Sequence, residues 1–272
     1  MKTIDVHIHV GKKEHFHEWV LRYEENVNPR IQESYEVLSD PDRFCSFLRN
    51  EGVERAVILA ENSPLTTGVV PNDYVLSFCL GRGMLIPFCS INPNTDSAPS
   101  QTLEMLVEGG FRGLKLYPPY HLHYANETRL YPLYAKAEEL GVPIMFHTGS
   151  SVFRGARLKY GDPIFLDDVA VDFPDLTLIM AHSGRGLWYD TAFLLARLHK
   201  NVHMEISGLP PKNLLRYFPN LEKNADKILF GSDFPTVDSI RRNIEEVLKL
   251  PISDSSKEKI LFSNAARIMK II

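Results

Sequence analysis

Near the amino terminus stands the segment that most constrains the fold, Ile4-Asp5-Val6-His7-Ile8-His9-Val10. Its apolar residues alternate with polar ones, which is the period-two pattern of a β-strand with one apolar face. Asp5, His7 and His9 then share the opposite face. Three polar side chains on the inner face of a strand are costly to bury unless they are hydrogen-bonded or bind a metal.

Seven further apolar runs follow along the chain, and helical patterns separate them. The eight predicted strands begin 25 to 50 residues apart, about the length that a βα unit needs to return to a parallel neighbour. They span residues 3–10, 53–60, 84–91, 111–117, 142–147, 176–182, 201–207 and 227–232. Eight alternations of strand and helix predict an α/β fold, a single (β/α)8 TIM barrel over residues 1–272. An open doubly wound sheet is the alternative.

The intervening segments predict the outer helices of such a barrel. They lie at residues 40–50, 100–108, 130–140, 165–172, 187–200 and 237–250, with one or two C-terminal closing helices over 253–270. The long loop after strand 1, residues 11–39, would lie at the mouth of the barrel, where lids and substrate contacts occur. An extra surface helix is the equal alternative for this loop.

Composition excludes several classes of protein. Of the 272 residues, 44% are hydrophobic and 24% are charged, as in ordinary globular domains. Thirty Lys and Arg against 34 Asp and Glu give a net charge of −4, which does not favour a nucleic-acid partner. No apolar run reaches the roughly 18 residues of a membrane span. Three cysteines, and an amino terminus without the apolar core of a signal peptide, predict a cytoplasmic protein.

Five side chains on four predicted strands form a candidate metal site. His7 and His9 are spaced i, i+2 on strand 1, while His147 and His182 end strands 5 and 6. Asp233 follows strand 8, which neighbours strand 1 if the barrel closes. Imidazoles with one carboxylate suit Zn²⁺, and Mn²⁺, Fe²⁺ or Co²⁺ can also fit. Each histidine alone is more often a hydrogen-bonded core residue, but the five together predict a shared divalent ion.

Other polar residues predict substrate contacts. Lys115 and Tyr117 on strand 4 and Glu205 on strand 7 would face the lumen, while Arg154 and Arg185 follow strands 5 and 6. A cationic rim on an acidic protein predicts a small anionic substrate, a carboxylate above all. Most of these residues have a structural alternative. The alternative for Lys115 is a salt-bridged lysine of the barrel core, and for Tyr117 it is a packing residue. For Arg154 and Arg185 it is an ordinary solvated loop charge.

Several motifs occur in a fixed order from residue 5 to residue 267. They include Asp5-Val6-His7-Ile8-His9, Gly113-Leu114-Lys115-Leu116-Tyr117-Pro118, Phe146-His147-Thr148-Gly149, Ala181-His182-Ser183-Gly184 and Gly231-Ser232-Asp233-Phe234-Pro235. With these motifs the chain resembles the amidohydrolase superfamily, in the branch called amidohydrolase family 2, which contains the relatives of aminocarboxymuconate semialdehyde decarboxylase.

The resemblance implies a metal site. His7, His9, His147 and Asp233 would hold one divalent ion, Zn²⁺ first, with water in the open position and His182 beside that water. Some superfamily members carry a carboxylated lysine on strand 4 that bridges two metals. A second metal held with a carboxylated Lys115 is therefore the alternative to the mononuclear site, which we favour.

The resemblance also implies a reaction. The favoured function is a metal-dependent hydrolase whose activated water attacks an amide, ester or lactone carbonyl, with Asp233 accepting the proton and His182 stabilising the oxyanion. The alternative is a nonoxidative decarboxylase that uses the same site. A TatD-type nuclease is ranked lower, because that group uses a glutamate ligand where this chain has Lys115, and a metal-free binding protein is ranked lower still. The sequence leaves open whether the chain forms a homodimer.

Overall fold

Eight parallel strands form the central sheet of the computed structural model, which describes residues 1–271. The strands are β1 (Ile4–His9), β2 (Arg55–Leu59), β3 (Glu61–Ser63), β4 (Gly68–Val70), β5 (Leu85–Ser90), β6 (Leu114–Leu116), β7 (Ile144–His147), β8 (Leu178–Ala181), β9 (Val202–Glu205) and β10 (Ile228–Leu229). Strands β1, β2 and β5 to β10 pair in chain order, and β3 and β4 form a separate antiparallel pair.

Backbone hydrogen bonds from the segment after β10 close the barrel against β1. The amide of Val6 donates to the carbonyl of Phe230 at 3.0 Å, and the amide of His9 donates to that of Phe234 at 2.8 Å. In return, the amide of Asp233 donates to the carbonyl of His7 at 2.9 Å. The prediction of a closed (β/α)8 barrel is confirmed, and the open-sheet alternative is wrong.

Thirteen α-helices lie among the described residues. They are α1 (Glu18–Val27), α2 (Ile31–Leu38), α3 (Pro41–Glu51), α4 (Asn72–Cys79), α5 (Pro99–Glu108), α6 (Pro118–His121), α7 (Tyr131–Leu140), α8 (Leu166–Asp172), α9 (Tyr189–Leu198), α10 (Leu214–Tyr217), α11 (Ile240–Leu248), α12 (Asp254–Glu258) and α13 (Asn264–Ile268). None of these helices has the length and apolarity needed to cross a membrane.

Local capping explains several of the helix bounds. Helix α3 begins where the Asp40 carboxylate accepts the amides of Asp42 and Arg43, with Pro41 at its first position. Helix α11 begins three residues later than predicted because the Ser239 hydroxyl caps it. Helix α4 and the short helices α6 and α10 were not predicted, since their segments are too short for a clear helical period.

The stretch from residue 11 to 39 lies over the mouth of the barrel. The Trp19 indole donates to the carbonyl of Thr66 at 2.7 Å, which ties α1 to the β3–β4 pair. The Asn28 amide donates to the carbonyl of Pro235 at 2.7 Å, which ties the same segment to the loop after β10. Helix α1 is therefore held against the barrel mouth and is not a detached surface addition.

Candidate metal centre and its cavity

Three of the predicted metal ligands converge at the floor of the barrel mouth. His7 Nε2 lies 3.2 Å from His9 Nε2, and Asp233 Oδ1 lies 3.5 Å from the first nitrogen and 3.4 Å from the second. His7 and His9 meet because they stand two residues apart on β1, and Asp233 joins them because the segment after β10 pairs with β1. We call these three side chains the triad.

The triad has the dimensions of a metal site. Ligand atoms about 2.1 Å from a tetrahedrally coordinated ion lie about 3.4 Å apart, close to the three observed separations. A fourth candidate, His147, ends β7 with its Nε2 buried and without a hydrogen-bond partner within residues 1–271. Its ring centroid is 4.7 Å from that of His182, yet it belongs to neither group of converging ligand atoms. His147 as a ligand therefore stays a prediction.

Glu205 fixes the orientation of His7. Glu205 Oε2 lies 3.0 Å from His7 Nδ1 and also accepts the Ser207 hydroxyl and the His182 amide. Because a carboxylate oxygen only accepts, Nδ1 carries the proton and Nε2 keeps its lone pair toward the triad. Burial, reinforced by the charge of Lys115, holds the pKa of His7 well below its ordinary value, so the ring is neutral.

The close approach of Glu205 and His7 requires a glycine on the neighbouring segment. A Cβ atom on Gly231 would overlap Glu205 Oε1 and would lie 2.7 Å from His7 Cβ. This packing explains why the Gly231-Ser232-Asp233 motif begins with glycine. A second group of converging atoms, His7 with His182 and Glu205, is better described as this hydrogen-bond network than as a metal site, since its carboxylate already accepts protein donors.

His182 stands beside the triad with a fixed tautomer. Its Nδ1 lies 3.1 Å from the carbonyl oxygen of Ser207, so Nδ1 donates and Nε2 is unprotonated. Burial lowers the pKa of His182 well below its ordinary value, and the charge of Arg185 adds to the effect. The backbone of His182 has φ of +63°, and Asp233 has φ of +64°. Left-handed conformations at two non-glycine residues of one site are a form of strain found at functional positions.

Asp233 is held as a carboxylate. Burial alone would raise its pKa, but the hydrogen bond from His9 and the neighbouring His7 and His182 hold that pKa well below its ordinary value. The pKa of Asp5, which lies on β1 with His7 and His9, is shifted in the opposite direction. Asp5 Oδ1 accepts the amides of His7 and Ser232 at 3.0 Å, and burial raises its pKa to about 7.

Lys115 lies beneath the site as a buried amine. Its side chain is fully buried, and its Nζ has no hydrogen-bond partner and no ion pair within residues 1–271. Burial lowers its pKa to about 8, although the charges of Glu205, Asp233 and Glu61 act against that shift. The salt-bridged core lysine that the sequence left open is therefore not what the structure contains. Carboxylation of Lys115 stays a prediction.

A cavity of about 310 Å³ opens above the triad. Aromatic side chains form much of its wall, and its polar groups are mostly those of the candidate site. The aromatic residues are Phe16, Tyr23, Tyr117, Tyr120 and Phe153, and the polar ones include His7, His9, Glu24, Glu61, His147, His182, Arg185 and Asp233. This volume lies at the small end of the roughly 300–1,000 Å³ of known ligand pockets.

Arg185 is the cation of this cavity. Its Nη2 donates to the carbonyl of Ser150 at 3.1 Å, and it forms no ion pair with any carboxylate of residues 1–271. Gly208 leaves the room for this arrangement, since a Cβ atom there would overlap Arg185 Nη1. An unpaired guanidinium on a partly enclosed wall attracts an anion.

Only some of the predicted substrate-contact residues line the cavity. Tyr117 and Arg185 line the cavity, with the Tyr117 hydroxyl donating to the carbonyl of Ala60 at 2.9 Å. Lys115 and Glu205 are fully buried and do not reach the wall. Arg154 is exposed, with its guanidinium 5.5 Å from the ring of Trp19. Lys115, Glu205 and Arg154 do not line this cavity, so the structure does not place them in direct contact with a substrate bound there.

Two buried carboxyl groups of the wall were not predicted. Glu61 begins β3, accepts a hydrogen bond from Thr67 and has Oε2 3.9 Å from His9 Nδ1. Glu24 lies on α1, where its surroundings are set by the fold of residues 11–39. Glu24 lies in a polar stretch that gives no sequence signal of burial. Glu61 directly follows the predicted strand 53–60, so its position at the end of a strand, where barrel enzymes carry polar site residues, was the available signal.

Comparison with known proteins gives a family and a set of similar folds. A family model described as amidohydrolase matches residues 4–271. Comparison with curated sequences gives no significant match. An uncharacterized TIM-barrel protein from Bordetella bronchiseptica has a TM-score of 0.81 at 23% identity, with 99% of each chain covered.

Several of the similar structures are decarboxylases. A 2,6-dihydroxybenzoate decarboxylase from Rhizobium has a TM-score of 0.71 at 18% identity, covering 100% of this chain and 99% of its own. A dihydroxybenzoic acid decarboxylase from Polaromonas sp. JS666, with bound manganese and 2-nitroresorcinol, has a TM-score of 0.75 at 16% identity, covering 99% and 97%. At such low identity these similarities show the fold alone.

Proposed function

This chain belongs to the amidohydrolase family, and from that premise we propose that it is a metal-dependent decarboxylase of a small aromatic acid. The substrate is a single-ring carboxylic acid with a hydroxyl group beside the carboxylate. The reaction replaces the carboxylate by a proton and releases carbon dioxide.

The observation that carries the proposal is the unpaired Arg185 on an aromatic-walled cavity directly above the triad. A guanidinium binds a carboxylate through paired, charge-assisted hydrogen bonds. The rings of Tyr117, Tyr120 and Phe153 offer flat apolar surface to an aromatic ring. Two similar folds named as dihydroxybenzoate decarboxylases give further support.

The same triad would serve a hydrolase, so the cavity wall is what favours one reaction over the other. Hydrolysis of an amide, ester or lactone does not require an aromatic wall or a cation beside the metal site. The rings of Tyr117, Tyr120 and Phe153 and the unpaired Arg185 suit a compact aromatic anion. We therefore prefer decarboxylation to the hydrolysis that the sequence placed first.

The triad fits a divalent ion, and His7, His9 and Asp233 would hold it, with the orphan Nε2 of His147 nearby. When bound, the ion supplies a Lewis acid for the substrate oxygens. Arg185 holds the carboxylate, and the aromatic wall keeps water from the ring. Asp233 takes the proton of the substrate hydroxyl and returns it to the ring carbon that bears the carboxylate.

Protonation of that ring carbon weakens its bond to the carboxylate carbon. The bond breaks, carbon dioxide leaves, and the electron pair restores the aromatic ring as a phenolate that takes up one proton from water. Asp233 is the carboxylate of the triad and is therefore the group placed to carry this proton from the hydroxyl to the ring carbon. The neutral His182, with Nε2 unprotonated, accepts hydrogen bonds from the substrate during this exchange.

The test uses Mn²⁺-loaded protein and a panel of 2-hydroxybenzoates labelled with ¹³C in the carboxylate. We expect ¹³CO₂ and, in D₂O, a phenol with one deuterium at the former carboxylate carbon. Metal-free protein and the Asp233→Asn variant should release none. Hydrolysis of esters or lactones with ¹⁸O from water in the product, and no CO₂ from any acid, would show that the hydrolase is the correct assignment.

A further inference from the structure

Glu24 is a buried carboxyl group on the wall of the cavity, and the reaction above does not use it. It lies on α1, in the segment that covers the barrel mouth, and only 4% of it is exposed. It lines the same cavity as His9, Glu61 and Asp233. A glutamate is rarely this buried unless it has a partner.

The protein satisfies only one of the two Glu24 oxygens. The Tyr35 hydroxyl of α2 donates to Oε2 at 2.5 Å. Oε1 accepts no hydrogen bond, and the carboxylate forms no ion pair, within residues 1–271. Burial accordingly raises the pKa of Glu24 to about 7, in spite of the Tyr35 hydrogen bond. Oε1 is not one of the buried polar atoms that lack a partner, so it is accessible from the cavity and can accept a hydrogen bond from a bound molecule.

A purely structural role does not account for this arrangement. The tie between α1 and α2 needs one oxygen acceptor, which a glutamine would supply without burying a charge. The second oxygen of Glu24, Oε1, has no such structural contact, and Glu24 lines the cavity wall. Glu24 lines the cavity together with His9 and Glu61, and Arg185, which contacts Ser150, lines the same cavity.

We propose that Glu24 is a specificity-determining residue that accepts a hydrogen bond from a second ring substituent, a hydroxyl or an amino group, of the acid that Arg185 holds. This inference rests on the proposed function, because it takes an aromatic acid as the ligand. It narrows the substrate to rings that carry a hydrogen-bond donor in addition to the carboxylate.

Binding separates this inference from the reaction. The probes are benzoate, 3- and 4-hydroxybenzoate and 3- and 4-aminobenzoate, none of which has the hydroxyl beside the carboxylate that the proposed reaction needs. Calorimetry with Mn²⁺-loaded protein at pH 8.5, where Glu24 is ionised, measures each dissociation constant. We expect one isomer to bind about 10- to 100-fold tighter than benzoate, the range for a hydrogen bond to a charged group.

Four variants test whether Glu24 causes this gain in affinity over benzoate. Glu24→Ala should remove it while benzoate binding stays within about twofold, and Glu24→Gln should remove about half of it on a logarithmic scale. Tyr35→Phe should keep most of the gain, and Glu25→Gln, on the exposed side of α1, should keep all of it. Melting temperatures check that each variant folds.

Three results overturn the inference: no isomer binds better than benzoate, none of the probes binds, or Glu24→Ala weakens benzoate and its hydroxyl and amino derivatives equally. Failure of the proposed function has a different signature, which is the absence of CO₂ from every 2-hydroxybenzoate. An isomer preference that depends on Glu24 in a protein that releases no CO₂ supports the inference and rejects the reaction.

Discussion

Replacing Glu205 by glutamine tests whether the orientation of His7 creates the metal site. Wild-type Glu205 accepts the proton on His7 Nδ1, so Nε2 faces the triad with a lone pair. The Ser207 hydroxyl and the His182 amide donate to the same oxygen. A glutamine places its NH₂ either against these donors or against the Ser207 amide, which donates to the other oxygen. In the first orientation His7 is driven to the tautomer with a proton on Nε2, and in the second it faces a neutral amide oxygen, a weaker acceptor than a carboxylate, so the metal site is weakened in both.

The expected loss can be bounded. Removing a hydrogen-bonding partner behind a histidine ligand typically costs about 10- to 100-fold in metal affinity, which corresponds to about 1.4–2.7 kcal/mol. The metal-free protein should lose about 1–3 kcal/mol of stability, because the glutamine NH₂ leaves a buried donor without an acceptor. The variant should therefore remain folded while its affinity for the metal falls by about 10- to 100-fold.

Calorimetric titration with Mn²⁺ at pH 7.5 measures the affinity, and thermal unfolding of the metal-free protein measures the stability. Ser207→Ala is the control, because it removes the hydroxyl that lies 3.1 Å from His7 Nδ1 but leaves the contact between Glu205 and His7. We expect a loss of less than about threefold for this control, since its hydroxyl only assists. A Glu205→Gln protein that binds Mn²⁺ as tightly as wild type would refute the reasoning about His7.

Three further predictions concern the site and the strand that carries it. Asp233→Asn and His7→Ala should each abolish CO₂ release while the far-ultraviolet circular dichroism stays unchanged; turnover near the wild-type rate in either variant would contradict the assigned roles. Gly208→Ala should displace Arg185 and raise KM for the acid about 10-fold or more with a smaller effect on kcat, as measured by steady-state kinetics; an unchanged KM would separate Arg185 from carboxylate binding. Burial raises the pKa of Asp5 from 3.8 to about 7, so the folded state retains a proton that the unfolded state has lost, and the stability of the metal-free protein should fall as pH rises from about 4 to 7. Asp5→Asn should flatten that fall in urea unfolding, and an equally steep profile in the variant would exclude Asp5 as its source.

The sequence predicted the barrel and its triad for a definite physical reason. Strand spacing and alternation are local properties, and they placed His7 and His9 on one face of β1. Closure then brought Asp233 to the same point, because strands 8 and 1 must be neighbours in any closed eight-stranded barrel. Register and strand order therefore bring these three side chains together, along with the candidates His147 and His182, whereas the choice of ligands among the five was implied by the family resemblance.

The remainder of the site depended on loop geometry that no local pattern encodes. Glu24 faces the cavity only because α1 folds back over the mouth and is held there by contacts with the β3–β4 pair. Lys115 and Glu205 share the inward face of their strands but lie below the level that the cavity reaches. The face of a strand can be predicted from its alternation, whereas depth along the barrel axis requires the three-dimensional packing.

The metal centre itself is tested most directly by anomalous diffraction from crystals grown with Mn²⁺. We predict one peak at roughly 2.0–2.3 Å from His7 Nε2, His9 Nε2 and Asp233 Oδ1, the usual range for nitrogen and oxygen ligands. A fully occupied peak elsewhere in the protein, or none between these three atoms at saturating Mn²⁺, would contradict the account.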